Sequence, residues 1–519
     1  MTAPEAARGA CVVAVDAGTT GVRALAVDGR AAVVDVAYRE LTQHFPRPGW
    51  VEHDAAEIWR HVTATVAEVA DRQQAAGRAL AAVGITNQRE TVVAWDRSTG
   101  APRYRALVWQ DRRTAAECDR LRDLGHEALV RRRTGLVLDP YFSATKMAWL
   151  LAHGGVEADD DLVLGTVDAW VAWNLTGGPA GGALVTDPSN ASRTLLYDIG
   201  AMAWDEELGE LFGVPVHALP DVVPTCGRIA TIPASLFGAG SPLAGVPVSA
   251  MAGDQQSALF GQACVEPGMA KATYGTGTFV LVNVGSAVPS PSEGLLSSVA
   301  WDLGAHGGTS PVAYALEGAV FVTGAAVQWL RDGLGIIPEA GALESLATSV
   351  EGTEGVYVVP AFTGLGSPWW DPYARGTIVG LSRGLGRAHV ARAVVEAMAL
   401  SVRDVVTAMR SSGAPVHALR VDGGASVMDL LLQLQADQLR VPVLRSASSE
   451  ATATGAAVLA GLAEGVFGSL GELTTLWQAE AEFSPHGSEP AADSLHKGWS
   501  DAVRRAERWA AAATASTDD

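Results

Sequence analysis

The residues that decide the fold are 11–38, CVVAVDAGTTGVRALAVDGRAAVVDVAY. An apolar, β-branched run ends at Asp16, and two further strand-like runs follow tight turns at Gly18–Gly21 and Asp28–Arg30. The glycine turn opens into another strand, whereas a dinucleotide-binding βαβ unit needs its glycines to lead into a helix. The pattern therefore predicts a meander of three strands and argues against a dinucleotide-binding unit.

The same arrangement returns later in the chain, in residues 269–285, MAKATYGTGTFVLVNVG. There too a strand, a glycine turn and a second strand follow one another. This repeat predicts two similar α/β domains, with a boundary near residues 261–267. We assign residues 1–262 to an N-terminal domain, residues 263–510 to a C-terminal domain and residues 511–519, which are small and polar, to a flexible tail.

Apolar spacing predicts the other regular elements of the chain. Helices are expected over residues 54–70, with Asp54 as the N-cap, and over 147–151, 167–175, 393–409 and 428–439, and buried strands over 80–88 and before the glycines at 423–424. Residues 220–248 are rich in Pro, Gly and Ala with weak periodicity, so they are predicted to be loop-like.

Charge limits the classes of partner that the protein can bind. The formal net charge of −20 argues against nucleic acid or an anionic membrane, because both need basic surfaces. The only lysines are Lys146, Lys271 and Lys497, and none lies in a GxxxxGK[ST] run, so a P-loop is absent. Any phosphate site must therefore use arginine side chains and backbone amides.

The four cysteines are scattered, without a CxxC pair, which predicts neither disulfides nor a zinc cluster. The first residues lack the pattern of a signal peptide, and no apolar run reaches membrane-spanning length. These features predict a cytoplasmic protein without a membrane-inserted segment.

Four polar segments make sense together. Asp254 and Gln255 lie in MAGDQQSALFGQ, and the others are AVDAGTTGVRA, GITNQRE ending at Glu90 and ATYGTGTF ending at Phe279. Taken singly, each has an ordinary structural reading: an Asp before a glycine turn, an exposed Arg–Glu pair or a tight turn. Together they indicate a carboxylate that faces a small polyhydroxylated molecule on one side and a nucleotide phosphate on the other.

At this point the motifs resemble those of the FGGY group of sugar and polyol kinases, from Val12 to about Arg508. The most specific pieces are PGWVEHD (from Pro48), GITNQRET (from Gly84), DPYFSATK (from Asp139), TDPSNASRT (from Thr186), AGDQQSALFGQ (from Ala252), YALEGAVF (from Tyr314) and VVPAFTGLGSPWWDPYARG (from Val358). The segment GTIVGLSRGLGRAHVARAVVE, from Gly376, resembles the second signature of the group. The resemblance implies two ribonuclease-H-like (actin-like ATPase) domains that flank a central catalytic cleft.

Within the group, the chain looks like the branch that phosphorylates glycerol, which implies transfer of the γ-phosphate of ATP with Mg²⁺. Asp254 would be the general base that accepts the proton of the attacking hydroxyl. The substrate would be bound by Arg89, Glu90, Trp109, Tyr141, Asp254, Gln255 and Phe279. Among these, Trp109 and Phe279 would pack on its carbon skeleton.

The resemblance also assigns residues to the metal and the nucleotide. Asp16 would help to hold Mg²⁺, and the nucleotide would be bound by Thr19, Thr20, Gly21, Arg23, Thr276, Gly324, Gln328, Gly424 and Met428. The chain departs from the group at Ala17, Gly21 and Val22, where Gln, Ser and Ser are commoner. It departs again at Met428, where the group often has Asn at the adenine edge. A thioether cannot donate a hydrogen bond as an amide does, so this change affects the adenine contact.

Two other readings remain open. One is a kinase of the same fold for another polyol or sugar, such as erythritol or xylulose. The other is a non-catalytic regulator or scaffold on the same ATPase fold, or a heat-shock-type ATPase, which would need an added DNA-binding helix pair or peptide domain.

Regulation and assembly are also predicted from the resemblance. Some bacterial relatives bind fructose 1,6-bisphosphate through a Gly-Arg loop, but residues 237–250, FGAGSPLAGVPVSA, contain neither Arg nor Lys. We therefore predict that this control is absent. His217 lies in a context unrelated to the phosphorylatable-His loop of other relatives. A homodimer or homotetramer is expected.

Overall fold

The structure of the protein is a computed structural model. It is organised around two mixed β-sheets with the same strand pattern. The structure describes residues 9–309 and 311–510. The predicted flexible tail, residues 511–519, lies outside the described residues.

The strands are β1 (Cys11–Ala17), β2 (Gly21–Val27), β3 (Val33–Glu40), β4 (Glu52–His53), β5 (Leu80–Asn87), β6 (Val92–Asp96), β7 (Ala106–Leu107), β8 (Leu162–Thr166), β9 (Val185–Thr186), β10 (Tyr197–Asp198), β11 (Ala203–Trp204), β12 (Asp221–Val222), β13 (Cys226–Thr231), β14 (Pro247–Gly253), β15 (Met269–Tyr274), β16 (Thr278–Gly285), β17 (Leu296–Asp302), β18 (Val312–Val320), β19 (Tyr357–Val359), β20 (Thr377–Val379), β21 (Ala418–Asp422), β22 (Val443–Ser446) and β23 (Ala479–Phe483).

The helices are α1 (Ala55–Ala75), α2 (Ala115–Asp123), α3 (Glu127–Thr134), α4 (Ser143–His153), α5 (Val167–Leu175), α6 (Pro188–Ala191), α7 (Glu206–Phe212), α8 (Ala234–Phe237), α9 (Asp254–Gly261), α10 (Gly324–Gln328), α11 (Ala342–Ala347), α12 (Arg387–Ser411), α13 (Asp429–Leu439), α14 (Ala451–Ala463), α15 (Leu470–Leu476) and α16 (Glu489–Ala506).

The first sheet has the strand order β13-β14-β5-β1-β2-β3. Strands β1, β2 and β3 pair antiparallel in sequence order, so the predicted meander is confirmed. Strands β5 and β14 run parallel to β1, and their carboxyl ends therefore lie at the same edge of the sheet. This edge carries the polar residues that the sequence singled out.

The second sheet repeats this plan in the order β17-β18-β16-β15-β21-β22-β23. Strands β15, β16 and β18 form the antiparallel meander, and β21 and β22 add parallel strands beside β15. The two sheets are the cores of two ribonuclease-H-like domains, so the predicted fold class is confirmed.

The predicted helices all form, with boundaries that differ by a few residues. Asp54 caps α1, since its carboxylate accepts a hydrogen bond from the Ala56 amide, and the helix continues to Ala75. The prediction of a loop over residues 220–248 is wrong in part, because β12, β13 and α8 lie within it. Strand β13 is the edge strand of the first sheet, and its pairing shifts register between Cys226 and Ala230. Such an irregular edge strand leaves little periodicity in the sequence.

Helix α14 joins the second half of the chain to the first sheet. It packs on strands β1, β5 and β14 and lies against α9. Its approach is so close that a Cβ atom added at Gly84, Gly261 or Gly455 would lie under 3.0 Å from a backbone oxygen of the facing segment. Helix α14, which follows residue 262 in sequence, thus covers the sheet of the first half of the chain. The domain boundary at 262/263 therefore stays a prediction.

This close approach gives a stability prediction. Gly455→Val should lower the free energy of unfolding by about 3 kcal/mol or more, because its side chain would collide with the Ser257 backbone of α9. Urea unfolding followed by circular dichroism measures the change. Gly471→Ala is the control, because Gly471 is exposed in α15 and the added Cβ would have only the Ser469 hydroxyl within 4 Å. Equal stability of the Gly455 variant and the parent protein would contradict the prediction.

Candidate active site

The candidate site is built at the carboxyl ends of three parallel strands. Asp16 lies at the end of β1 and pairs in register with Thr86, while Asn87, the last residue of β5, pairs with Gly253, the last residue of β14. The residues that follow β5 and β14 are therefore brought next to Asp16. These are Arg89 with Glu90, and Asp254 with Gln255.

Arg89 is buried, with 2% of its side chain exposed, and makes contacts from every side of its guanidinium. Its Nη1 donates to Glu317 Oε2 at 2.7 Å, and its Nη2 donates to Glu317 Oε1 at 3.1 Å. Nη2 also donates to the Tyr141 hydroxyl at 3.4 Å. The Nε atom lies 3.1 Å from Asp254 Oδ1, and within the described residues it has no partner with hydrogen-bond geometry. A donor is therefore held beside Asp254.

Glu90 is equally buried, and its Oε1 lies 3.7 Å from Arg89 Nε. It accepts a hydrogen bond from Arg193 Nε at 2.6 Å, and Arg193 Nη2 donates to Glu317 Oε1 at 3.1 Å. Two arginines and two glutamates thus form one buried network of ion pairs, which we call the clamp network (Arg89, Glu90, Arg193 and Glu317). The alternative of an exposed Arg–Glu pair is wrong.

Sequence reasoning gave no role to Arg193 or Glu317. Both lie in quoted motifs: Arg193 is the basic residue of TDPSNASRT, and Glu317 is the one charged residue of the apolar run YALEGAVF. These charged positions were the sequence signal that could have pointed to a role for Arg193 and Glu317. The two arginines outweigh the effect of burial on Glu317, which alone would raise its pKa, and lower this pKa to about 2. Glu317 is therefore ionised throughout the physiological range.

Asp254 is the first residue of α9 and is partly buried in the cleft. Its Oδ1 accepts a hydrogen bond from the Gln255 amide at 2.7 Å. Burial raises the pKa of this carboxyl, while the charges of Arg89 and Lys271 act in the opposite direction. A carboxylate whose pKa is raised in this way is a better proton acceptor than a free one.

The aromatic residues differ in how they meet the site. Trp109 Nε1 donates to the Thr19 hydroxyl at 2.9 Å, and its ring lies 5.6 Å from that of Tyr141 at an angle of 72°. Trp109 therefore connects the first hairpin to the clamp network. Phe279, on β16, is half-buried against the apolar cluster that joins the two sheets.

The first hairpin explains one departure from the group's pattern. A Cβ atom added at Gly21 would lie under 3.0 Å from the Arg39 carbonyl oxygen and from the Tyr38 ring on β3, so the neighbouring strand favours glycine here. The Gly18 amide donates to the Gly21 carbonyl at 3.0 Å and closes the turn that presents Thr19 and Thr20.

Arg23 lies between two carboxylates instead of pointing freely into the cleft. Its Nη2 donates to Asp16 Oδ2 at 2.5 Å and its Nη1 to Glu450 Oε2 at 2.7 Å. Burial raises the pKa of Asp16, and Arg23 opposes this effect. Arg23 thus keeps the Asp16 carboxylate in place.

Asp16 is compatible with a magnesium ion. The described residues contain no group of three or more His, Cys, Asp or Glu side chains that could hold a metal. Mg²⁺ needs no such group, because it commonly binds through one or two carboxylates, water and substrate phosphates. A single carboxylate beside a phosphate-binding turn fits that chemistry.

The second sheet brings together the residues assigned to the nucleotide. The Gly275 carbonyl accepts from the Gly324 amide at 3.0 Å, and the Thr276 carbonyl accepts from the Ala325 amide at 3.1 Å. Gly423 has φ +90°, and a Cβ atom there would lie under 3.0 Å from the Tyr274 carbonyl. Three turns, around Thr276, Gly324 and Gly424, therefore meet at one place.

Gln328 and Met428 differ in exposure. Gln328 is exposed at the end of α10, whereas Met428 precedes α13 and packs in the apolar core of the second half, with 7% of its surface exposed. The role of Met428 at the adenine edge stays a prediction.

Comparison with known proteins identifies the family. Residues 11–261 match the FGGY family of carbohydrate kinases, N-terminal domain, and residues 270–464 match its C-terminal domain. The chain belongs to the FGGY family of carbohydrate kinases. Among FGGY relatives, the glycerol kinase of Dechloromonas aromatica is 51% identical over 504 residues, 96% of this chain and 98% of the relative. That of Carboxydothermus hydrogenoformans is 50% identical over the same shares.

Solved structures of carbohydrate kinases also superpose on this chain over nearly its whole length. A crystal structure of Plasmodium falciparum glycerol kinase with ADP superposes with a TM-score of 0.89 at 31% identity, covering 96% of this chain and 98% of that one. Xylulose kinase from Rhodospirillum rubrum superposes with a TM-score of 0.83 at 26% identity, covering 95% and 98%. The similarity spans both sheets.

Two further expectations can be compared with the structure of this FGGY chain. The four cysteines are free and buried in the structure. In the part of the chain that the structure describes, no helix has the length and apolar character needed to cross a membrane.

Proposed function

We propose that this chain transfers the γ-phosphate of ATP to glycerol and forms sn-glycerol 3-phosphate. The observation that carries the proposal is the buried Arg89, whose Nε lies 3.1 Å from Asp254 Oδ1 and has no partner with hydrogen-bond geometry among the described residues. The relatives that are about 50% identical over 96% of the chain are glycerol kinases, and the structure with ADP supports ATP as donor.

In this mechanism, Asp254 accepts the proton of the attacking hydroxyl while the oxygen forms its bond to the γ-phosphorus. The bond between that phosphorus and the bridging oxygen of ADP breaks, and ADP leaves with the electron pair. Phosphoryl transfer depends mainly on alignment and on neutralising the phosphate charge. Asp16 would hold Mg²⁺, which supplies such neutralisation when bound.

The other side chains align the substrate. Arg89 Nε would donate to one glycerol hydroxyl, and Glu90, Tyr141 and Gln255 would add polar contacts, with Trp109 as an apolar wall. A site that pairs each hydroxyl discriminates strongly against analogues that lack one.

The nucleotide would be bound across the cleft. Thr19, Thr20 and Gly21 would contact its phosphates from the first hairpin, and Thr276, Gly324 and Gly424 from the second sheet. Gln328 and Met428 would lie toward the base.

Cytoplasmic location and a homodimer or homotetramer stay predictions, as does the absence of control by fructose 1,6-bisphosphate. An acceptor such as xylulose or erythritol is the second candidate, because xylulose kinases share the fold.

The experiment is an ADP-release assay with ATP and Mg²⁺ on glycerol, dihydroxyacetone, erythritol, xylulose and water alone. We expect glycerol to give the highest kcat/KM. Higher kcat/KM on erythritol or xylulose would overturn glycerol as the substrate, and ADP release on none of them would overturn the kinase activity on this panel.

A further inference from the structure

Lys271 is a buried charged residue that the mechanism above does not use. It lies on β15, the strand that leads into the Gly275–Gly277 turn, and none of its side chain is exposed. Its Nζ donates to Gln255 Oε1, and to Thr273 Oγ1 at 3.0 Å. Both of these hydrogen-bond partners are neutral, although burial of an ammonium group without a carboxylate contact is costly. The burial of Lys271 at this position therefore needs an explanation.

Lys146, the other buried lysine, provides a comparison. Its Nζ donates to the backbone carbonyls of Pro140, Tyr141 and Phe142, so it closes a loop. Lys271 instead contacts the side chain of Gln255, which is partly exposed in the cleft next to Asp254. Lys271 is therefore connected to the substrate side of the cleft.

The chemistry of the contact fixes the orientation of the Gln255 amide. An ammonium group has three donors and no acceptor, so only the carbonyl oxygen of Gln255 can meet it. With Oε1 held by Lys271, the group of Gln255 that remains for a ligand is the Nε2 amide, which can only donate. A Gln255 with the opposite orientation would place two donors against each other.

We propose that Lys271 is a positioning residue that makes Gln255 a hydrogen-bond donor toward one hydroxyl oxygen of the substrate. The inference rests on the proposed function, because the substrate is taken to be glycerol. It assigns a specificity role to a residue outside the substrate contacts. The acceptor atom that Gln255 recognises must be an oxygen with a free lone pair.

Two variants separate this role from a structural one. Lys271→Met removes the ammonium but keeps an unbranched side chain of similar length. Gln255→Glu keeps an oxygen for Lys271 and gives it a charged partner, but removes the amide donor. We expect each variant to raise the KM for glycerol about tenfold, with a smaller change in kcat, because one hydrogen bond to the substrate is lost. We also expect the ratio of kcat/KM between glycerol and propane-1,2-diol to shrink about tenfold.

The controls make the test decisive. Lys497→Met changes an exposed lysine and should leave KM unchanged, and thermal unfolding reports the stability of each variant. If Lys271 did not orient Gln255, a folded Lys271→Met variant would keep the parent KM and substrate ratio. Parent values for Gln255→Glu would show that the Gln255 amide donates to no substrate oxygen. Either result would overturn the inference, the second even if Lys271→Met failed to fold. Failure of the parent protein to phosphorylate glycerol would instead overturn the proposed function.

Discussion

Asp254→Asn should lower kcat on glycerol by about 10²- to 10⁴-fold, the range that a general base contributes. The replacement keeps the shape of the side chain and the oxygen that accepts from the Gln255 amide. It removes the proton acceptor from the attacking hydroxyl. The KM for glycerol should change much less, since the proposed contacts with Arg89, Trp109 and Tyr141 remain.

Steady-state kinetics with saturating ATP measure this effect. Asp159→Asn is a matched control, because Asp159 is an exposed carboxylate paired with Arg103 on the surface, and kcat should remain at the parent value. A kcat within threefold of the parent for Asp254→Asn would show that proton transfer to this carboxylate is not required.

The pH dependence of kcat/KM, which reports the ionisation of the free enzyme, tests the same residue in a second way. The base is active when ionised, and burial raises the pKa of Asp254 above the ordinary aspartate value of 3.8. The value of kcat/KM should therefore fall as the pH drops through this raised pKa, and the acid limb should lie above pH 3.8. This limb should be missing from the residual activity of Asp254→Asn. An acid limb of equal midpoint in both proteins would assign it to another group.

The sequence predicts the parts of the site that depend on local order. Asp16 lies at the end of β1, and Arg89 and Asp254 follow β5 and β14. Parallel strands bring their carboxyl ends together, so the proximity of these residues follows once the strands are recognised. The glycine turns are likewise local, because a positive φ or a close approach favours glycine, as at Gly423.

The long-range contacts could not be predicted in this way. Glu317 is separated from Arg89 by 228 positions and lies on the other sheet, so no spacing rule connects them. The same holds for Lys271, whose role depends on where α9 lies relative to β15. Helix α14, which packs on the first sheet although it follows the second in sequence, is a third case. These features are set by the packing of the two halves against each other.

Glu317→Leu should destabilise the protein by about 3–5 kcal/mol, because it leaves two buried arginines without their shared partner. Glu317 has no exposed side-chain surface and contacts both Arg89 and Arg193, which come from the other half of the chain. Its removal also frees the Arg89 guanidinium from its bidentate contact. We therefore expect the KM for glycerol to rise as well.

Urea unfolding of Glu317→Leu, Arg193→Met and the double variant separates charge balance from packing. The double variant removes one charge of each sign and leaves Arg89 with Glu90, so it should lose less stability than the sum of the single variants. Glu207→Gln, at an exposed glutamate, should change stability by about 0.5 kcal/mol or less. Strict additivity of the two single variants would mean that Glu317 and Arg193 act independently, and that the clamp network does not join the two halves as one unit.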